Sequence, residues 1–356
     1  MEIGIVGLPN VGKSTLFNAL TAGHAASSNY PFTTIEPNVG VVLVPDPRLN
    51  RLSEIFKPEK VTPAAVRFVD IAGLVKGAAQ GEGLGNKFLS HIREVDAIVH
   101  LVRLFQDPDV VHTMGAVDPR RDIEIIETEL ILADLASLEK QFDKVSGKAK
   151  TGDKQAQVQL ALLEKLKAGL SAGKPARSVG LSSADIDPFF LLAAKPVLYV
   201  GNTDEKPDPA LLESFARTAA ERGGQSLSLC GKMEAEIAQL PEEERGPFLA
   251  DLGLEQTGLE RVIVAAYKLL GLQSYFTAGP DEVRAWTVRA GTRAPQAAGV
   301  IHTDFEKGFI RADVYGYDDL DRHGSEPTLK ARGLIRSEGK DYVMRDGDVC
   351  FFKFSN

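Results

Sequence analysis

The eight residues GLPNVGKS, Gly7 to Ser14, set two glycines, a lysine and a hydroxyl at the spacing G-x-x-x-x-G-K-[ST]. That spacing is chemistry for phosphate. The glycines let backbone N–H groups wrap phosphate oxygens, Lys13 reaches the β and γ phosphates, and Ser14 ligates Mg²⁺. The stretch follows a strand-like run, EIGIVG (2–7), and precedes TLFNALTAG, which reads as a helix. The positive end of such a helix adds to the field felt by an anion. Asn10, Val11, Gly12, Lys13, Ser14 and Thr15 are therefore assigned to nucleotide contact. A second element, DIAG (70–73), closes another strand-like run. Asp70 is expected to hold the magnesium, and the Gly73 N–H to sense the γ-phosphate. The glycine-rich stretch that follows is loose, as a switch ordered by phosphate contacts must be.

A third stretch, GNTDE (201–205), ends the run KPVLYVGN. A GTPase carries Asn-Lys-x-Asp at such a place, and its Asp accepts the two donors of guanine. Here Thr203 stands at the Lys position and Glu205 at the Asp position. The Glu205 carboxylate lies one methylene further out and cannot keep a fixed two-bond geometry. A site built for one base edge rejects the other, because buried polar groups stay unpaired. The Asn202 amide can serve N6 and N7 of adenine. Adenine is the base this pattern favours, with Asn202, Thr203 and Glu205 at it and Cys230 (SLCGK) beside it as a small buried hydrophobe. The alternative stays open that Asp204 slips one place and reads guanine.

These residues need a scaffold. Short apolar runs at 2–7, 39–44, 64–73, 96–105, 195–202 and 226–230 alternate with helical stretches. Near-continuous apolar strands between helices predict a mostly parallel sheet covered on both faces. Between about 123 and 190 the pattern changes. Ile131, Leu135, Leu138, Phe142 and Val145 recur at coiled-coil spacing. After VSGKAKTGDK, Val158, Leu162, Leu166 and Leu170 recur every four residues. This predicts a helical hairpin inserted into the α/β domain. Its turn region holds Lys140, Lys144, Lys148, Lys150 and Lys154 against Asp143 and Asp153. That end is either simply solvated or an RNA-contacting tip, the basic exception in a chain of net charge −8. From about 275, AWTVRAG, GFIRADVYGY and DVCFFKF read as strands of a small separate domain.

The length of 356 residues fits two to three domains. Two distant cysteines form neither a disulfide framework nor a zinc pattern, which fits a cytoplasmic protein. The N-terminus is not a signal peptide, and no apolar run approaches the ~20 residues of a membrane helix.

The motifs GLPNVGKST, NYPFTTIEPNVG, DIAGLVKGA, DPDVVH and GNTDE, with the C-terminal part, resemble the YchF or Obg-like ATPase family over essentially the whole chain. The resemblance implies an α/β P-loop NTPase of G-domain type, an inserted coiled-coil hairpin and a C-terminal β-grasp TGS domain. The expected bounds are 1–125 and 193–274 for the G domain, 126–192 for the hairpin and 275–356 for the TGS domain. It also implies hydrolysis of ATP in preference to GTP, association with ribosomes, and RNA contact through hairpin and TGS domain. Thr34, in YPFTT, is implied rather than Thr33 as the further magnesium ligand. The family commonly has a hydrophobic residue at 203, where this chain has Thr.

Ras-like enzymes orient the attacking water with a Gln after the DxxG glycine. Here that residue is Leu74. The resemblance points instead to His112, which together with Lys13 forms the expected catalytic pair. Asn10 resembles the Asn that holds potassium in related NTPases, so Mg²⁺ and K⁺ are the expected ions. Three functions compete: an ATPase switch docking on ribosome or RNA, a GTPase translation factor, and a slow adenine-nucleotide sensor.

Overall fold

The apolar runs of the first half fold as strands, and the stretches between them as helices. The computed structural model describes residues 1–22, 38–72, 83–112 and 115–355. Thr33, Thr34, Gly73 and Leu74 lie outside these. The chain opens with β1 (Glu2–Gly7), α1 (Lys13–Ala22), β2 (Val39–Leu43), α2 (Pro47–Phe56), β3 (Lys60–Thr62), β4 (Ala65–Asp70), α3 (Gly83–Glu94) and β5 (Ala97–Arg103). It continues with α4 (Pro119–Lys150), α5 (Lys154–Ser171), α6 (Ser183–Ile186), β6 (Val197–Asn202), α7 (Pro209–Glu221), β7 (Gln225–Leu229), α8 (Gly231–Gln239), α9 (Glu242–Asp251) and α10 (Gly258–Leu269). The last part comprises β8 (Leu272–Ala278), β9 (Glu282–Arg289), α11 (Ala294–Ile301), α12 (Thr303–Lys307), β10 (Phe309–Gly316), α13 (Tyr317–His323), α14 (Glu326–Ala331), β11 (Arg336–Glu338) and β12 (Asp348–Phe354).

Contacts divide the chain into two units, residues 1–41 with 67–262, and 42–66 with 263–356. The boundaries read at 125/126 and 192/193 fall inside the first unit. That unit is built on a sheet of order β2-β4-β1-β5-β6-β7. From β4 through β1, β5 and β6 to β7, the strands pair in parallel. Every residue of β5 and β6 is buried, as a strand covered on both faces requires. The order places the ends of β1, β4, β5 and β6 together, and ligands of open α/β sheets bind outside such carboxyl ends.

Helices α4 and α5 pack on each other as a hairpin. Asp118 caps α4, ahead of Pro119 in the first turn. Gly152, at φ 93°, makes the reversal, and Asp153 caps α5 by accepting from Gln155 and Ala156 N–H. On α4, Ile131 and Leu138 are buried as expected. On α5 the seam runs through Ala156, Leu163, Leu166 and Leu170, while Val158 is 64% exposed. The four-residue repeat that included Val158 is thus corrected. Steps of four overshoot a 3.6-residue turn by ~40° each, so a strict repeat drifts off one face. The hairpin root is pinned to the sheet by buried polar groups. Glu127 of α4 meets Arg177 and the Tyr199 hydroxyl. Asp134 accepts the Leu192 and Ala193 N–H groups at 2.8 Å each. Burial pushes the Asp134 carboxyl up to about 6.

The second unit has a six-stranded sheet of order β11-β10-β12-β8-β9-β3. Its outer strand β3 runs parallel to β9, Val61 opposite Val283. Tyr275, Val288, Val314 and Phe352 form a core with Ala297 and Ala298 of α11. A mixed sheet holding one helix against its face is a β-grasp arrangement. Helix α2 packs on β8 and β9, with Leu49 and Leu52 buried. Arg48 bonds Asp346 at 2.8 Å and Arg51 bonds Asp321 at 2.7 Å. Segment 42–66 is therefore built into the C-terminal unit.

Candidate active site

The loop between β1 and α1 turns through Asn10 at φ 64° and Gly12 at φ 92°. Glycine adopts that left-handed backbone freely. At Gly12 space also demands it: a Cβ would lie 2.4 Å from Asn202 Nδ2. Lys13 opens α1, and its ammonium contacts the Asp70 carboxylate at the end of β4. Ser14 and Thr15 are exposed in the first turn of α1. Lys13 and Asp70 are thus brought together, with Ser14 next to Lys13 in the first turn of α1. One hydroxyl and one carboxylate suit Mg²⁺, which keeps several waters and takes its other oxygens from substrate phosphates.

A cavity of about 850 Å³ joins this loop to the stretch 202–205. Asn10, Gly12 and Thr15 line it on one side, and Asn202, Thr203, Glu205 and Cys230 on the other. Asn202 is 7% exposed. Its Nδ2 donates to Val11 O at 2.9 Å and its Oδ1 accepts Gly231 N–H at 2.9 Å. The amide expected to face N6 and N7 of adenine thus has one hydrogen and one lone pair committed to the protein. It is a strut between the loop after β1 and the start of α8. The Thr203 hydroxyl donates to Leu229 O at 3.2 Å. Asp204 accepts Gln106 N–H at 3.1 Å, and Glu205 faces Lys232 at 3.5 Å, both in solvent. Cys230 is half-buried at the cap of α8.

The third wall was missed in the sequence. Phe105, Asp107 and Val110 line the cavity from the loop after β5. The run 96–105 read as one strand, but the strand ends at Arg103, which puts Phe105 at a carboxyl end, where ligands bind. Arg103 is 2% exposed and organises this loop. It donates to Phe105 O at 3.1 Å and Val110 O at 2.9 Å, with its guanidinium 4.2 Å from the Phe105 ring centre. The loop then reaches the phosphate side, where Asn10 Nδ2 donates to Val111 O at 3.1 Å. His112, one residue on, is not among the residues lining the cavity. Its ring Nε2 lies 2.9 Å from Asp122 Oδ2 in the first turn of α4. The two side chains are 5% and 2% exposed. Among the described residues, no cluster of three His, Cys, Asp or Glu is placed to hold a metal, and no helix is long and apolar enough to cross a membrane.

Comparison with known proteins agrees with this architecture. Residues 2–127 match a family described as 50S ribosome-binding GTPase. Residues 272–355 match the YchF-GTPase C-terminal family, described as a protein of unknown function. The chain is 52% identical to the ribosome-binding ATPase YchF of Bacillus subtilis, over 100% of this chain and 99% of that one. It is 45% identical to Obg-like ATPase 1 of Rattus norvegicus, covering 100% and 92%. The solved structure of the Schizosaccharomyces pombe YchF GTPase superposes with a TM-score of 0.88 at 40% identity, covering 99% of this chain and 97% of that one.

Proposed function

The chain belongs to the family of the ribosome-binding ATPase YchF, and from that premise we propose that it hydrolyses ATP to ADP and phosphate as a conformational switch on the ribosome. The observation that carries this reading is the cavity, which joins a phosphate loop to an aromatic wall and a base-reading strand end. Asn10 to Thr15 hold the phosphates, with Lys13 on the β and γ oxygens. Ser14 and Asp70 hold Mg²⁺, joined by Thr34, with Gly73 on the γ-phosphate, as the family pattern implies. The metal supplies positive charge for the phosphoryl oxygens. Asn10 keeps its amide nitrogen on Val111 O, so its oxygen is the atom that K⁺ would take. His112 orients the attacking water in place of the Gln that Leu74 cannot replace.

Adenine is the base. Asp204, the carboxylate that would have to read guanine, accepts Gln106 N–H. Glu205 stands in solvent beside Lys232. Phe105 offers a ring on which a base can stack, worth ~1–3 kcal/mol and tolerant of base identity. Asn202 contributes its remaining hydrogen, Thr203 its backbone, and Cys230 a small side chain. The S. pombe relative is described as a GTPase, so guanine nucleotide is the comparison ligand. Calorimetric titration with ADP and GDP, with magnesium present and bound nucleotide removed, tests the reading. Clear preference for ADP is expected; preference for GDP would return the base to Asp204.

The docking surfaces are the lysine-rich end of the hairpin and the C-terminal β-grasp unit, read as a TGS domain that meets RNA. A cytoplasmic location, with no membrane partner, fits this function.

A further inference from the structure

His112 and Asp122 form a buried pair beside the loop that lines the cavity. Val110 lines that cavity and the Val111 carbonyl is tied to Asn10, so the backbone of this loop reaches the loop between β1 and α1. The His112 side chain meets the first turn of α4. It is 5% exposed, with Nε2 2.9 Å from a carboxylate that is itself 2% exposed. The other oxygen of that carboxylate accepts from Arg121 Nη2 at 3.2 Å. Asp122 is held in turn by α4: its N–H donates to Asp118 O at 3.0 Å. The imidazole is therefore docked on a fixed anion, at a hydrogen bond assisted by charge and shielded from water. Such bonds are about twice as strong as neutral ones.

We propose that Asp122 is the positioning residue that holds the His112 imidazole on α4 and so away from the attacking water. This rests on the reading of His112 as the water-orienting group. The attacking water and Asp122 compete for one imidazole, so the fraction of His112 facing that water sets the turnover of the enzyme without a partner. A group that occupies its working position only part of the time lowers the rate by that fraction. Such a device would keep hydrolysis slow in a chain that has an available histidine.

The test is a four-protein cycle: wild type, Asp122→Asn, His112→Ala and the double variant. Single-turnover ATP hydrolysis, the ADP dissociation constant and the melting temperature are measured for each. Asp122→Asn keeps the shape and weakens the bond. It is expected to raise turnover about tenfold, the population shift that loss of one charge-assisted bond produces, at unchanged ADP affinity. The gain must vanish in the His112→Ala background, which a general loosening of the fold would not require. A fall in turnover for Asp122→Asn, or no change, would overturn the proposal while leaving His112 as the water-orienting group. A His112→Ala variant of wild-type rate would instead remove the underlying reading. If Asp122→Asn melts too low to assay, nitrogen-15 imidazole spectra of the wild type decide. The His112 Nε2 signal is expected to shift when ADP with aluminium fluoride is added, and an unmoved signal counts against release.

Discussion

The Asn202 side chain links the two halves of the cavity, bonded to Val11 O and to Gly231 N–H. Gly12 has no side chain because that amide fills the space a Cβ would need. Replacing Asn202 by Ala leaves a buried carbonyl and a buried N–H unpaired, a cost of roughly 2–4 kcal/mol. We expect Asn202→Ala to lower ADP affinity at least tenfold and to lower the melting temperature even without nucleotide. Unchanged melting of the nucleotide-free variant would show that Asn202 acts on the base alone. The sequence made the residue visible but not its task. A motif gives the type and position of an amide, whereas the partners Val11 and Gly231 are brought to it by the parallel register of β6 with β7 and by the phosphate loop. Phe105 was hidden for a related reason: only the end of hydrogen bonding at Arg103 separates a strand residue from a wall residue. Asp122 carries no motif at all, and its meaning arises when the first turn of α4 meets His112.

The hairpin is the element whose type was easiest to read and whose faces were hardest. Apolar spacing over α4 and the Gly-rich bend announced two helices, while the α5 seam needed the caps at Asp118 and Asp153 to fix where counting begins. Its root and its tip differ in physics. At the root, Glu127 and Asp134 are buried and bonded, which fixes the helices to the sheet. At the tip, Lys140, Lys144 and Lys148 follow one another at i, i+4 on α4 and are exposed. Such a row presents charge on one side of the helix. If it meets ribosomal RNA, each lysine on a phosphate releases counterions and adds roughly 0.7–0.9 to the slope of log affinity against log salt. The triple change of Lys140, Lys144 and Lys148 to Glu is expected to weaken binding to purified ribosomes and to flatten that slope, at unchanged intrinsic ATPase rate. Equal slopes for both proteins would leave the row as a solvated face.

At the scale of the whole molecule, the local patterns foretold the parallel sheet and the late strands β10 and β12, but not the division of the chain. Segment 42–66 reads as ordinary α/β sequence. Its membership of the C-terminal unit depends on a three-residue strand pairing with β9, more than 200 positions later, and no local pattern carries that information. A chain ended at Val262 should therefore not behave as an intact nucleotide domain. It keeps α2 but loses β8 and β9, which cover Leu49 and Leu52. We expect such a chain to aggregate or to bind hydrophobic dye, and a monodisperse, dye-negative product would contradict the division described above.

The same path has a meaning for inheritance. The chain enters the C-terminal unit after residue 41, leaves it after residue 66 and returns after residue 262. A unit appended at one end can be gained, lost or exchanged by a single recombination event. This one has part of its wall encoded upstream of Asp70, inside the nucleotide-binding half of the gene. A donor unit joined at residue 263 would arrive without the helix and edge strand that complete it, so the two units are bound to descend together.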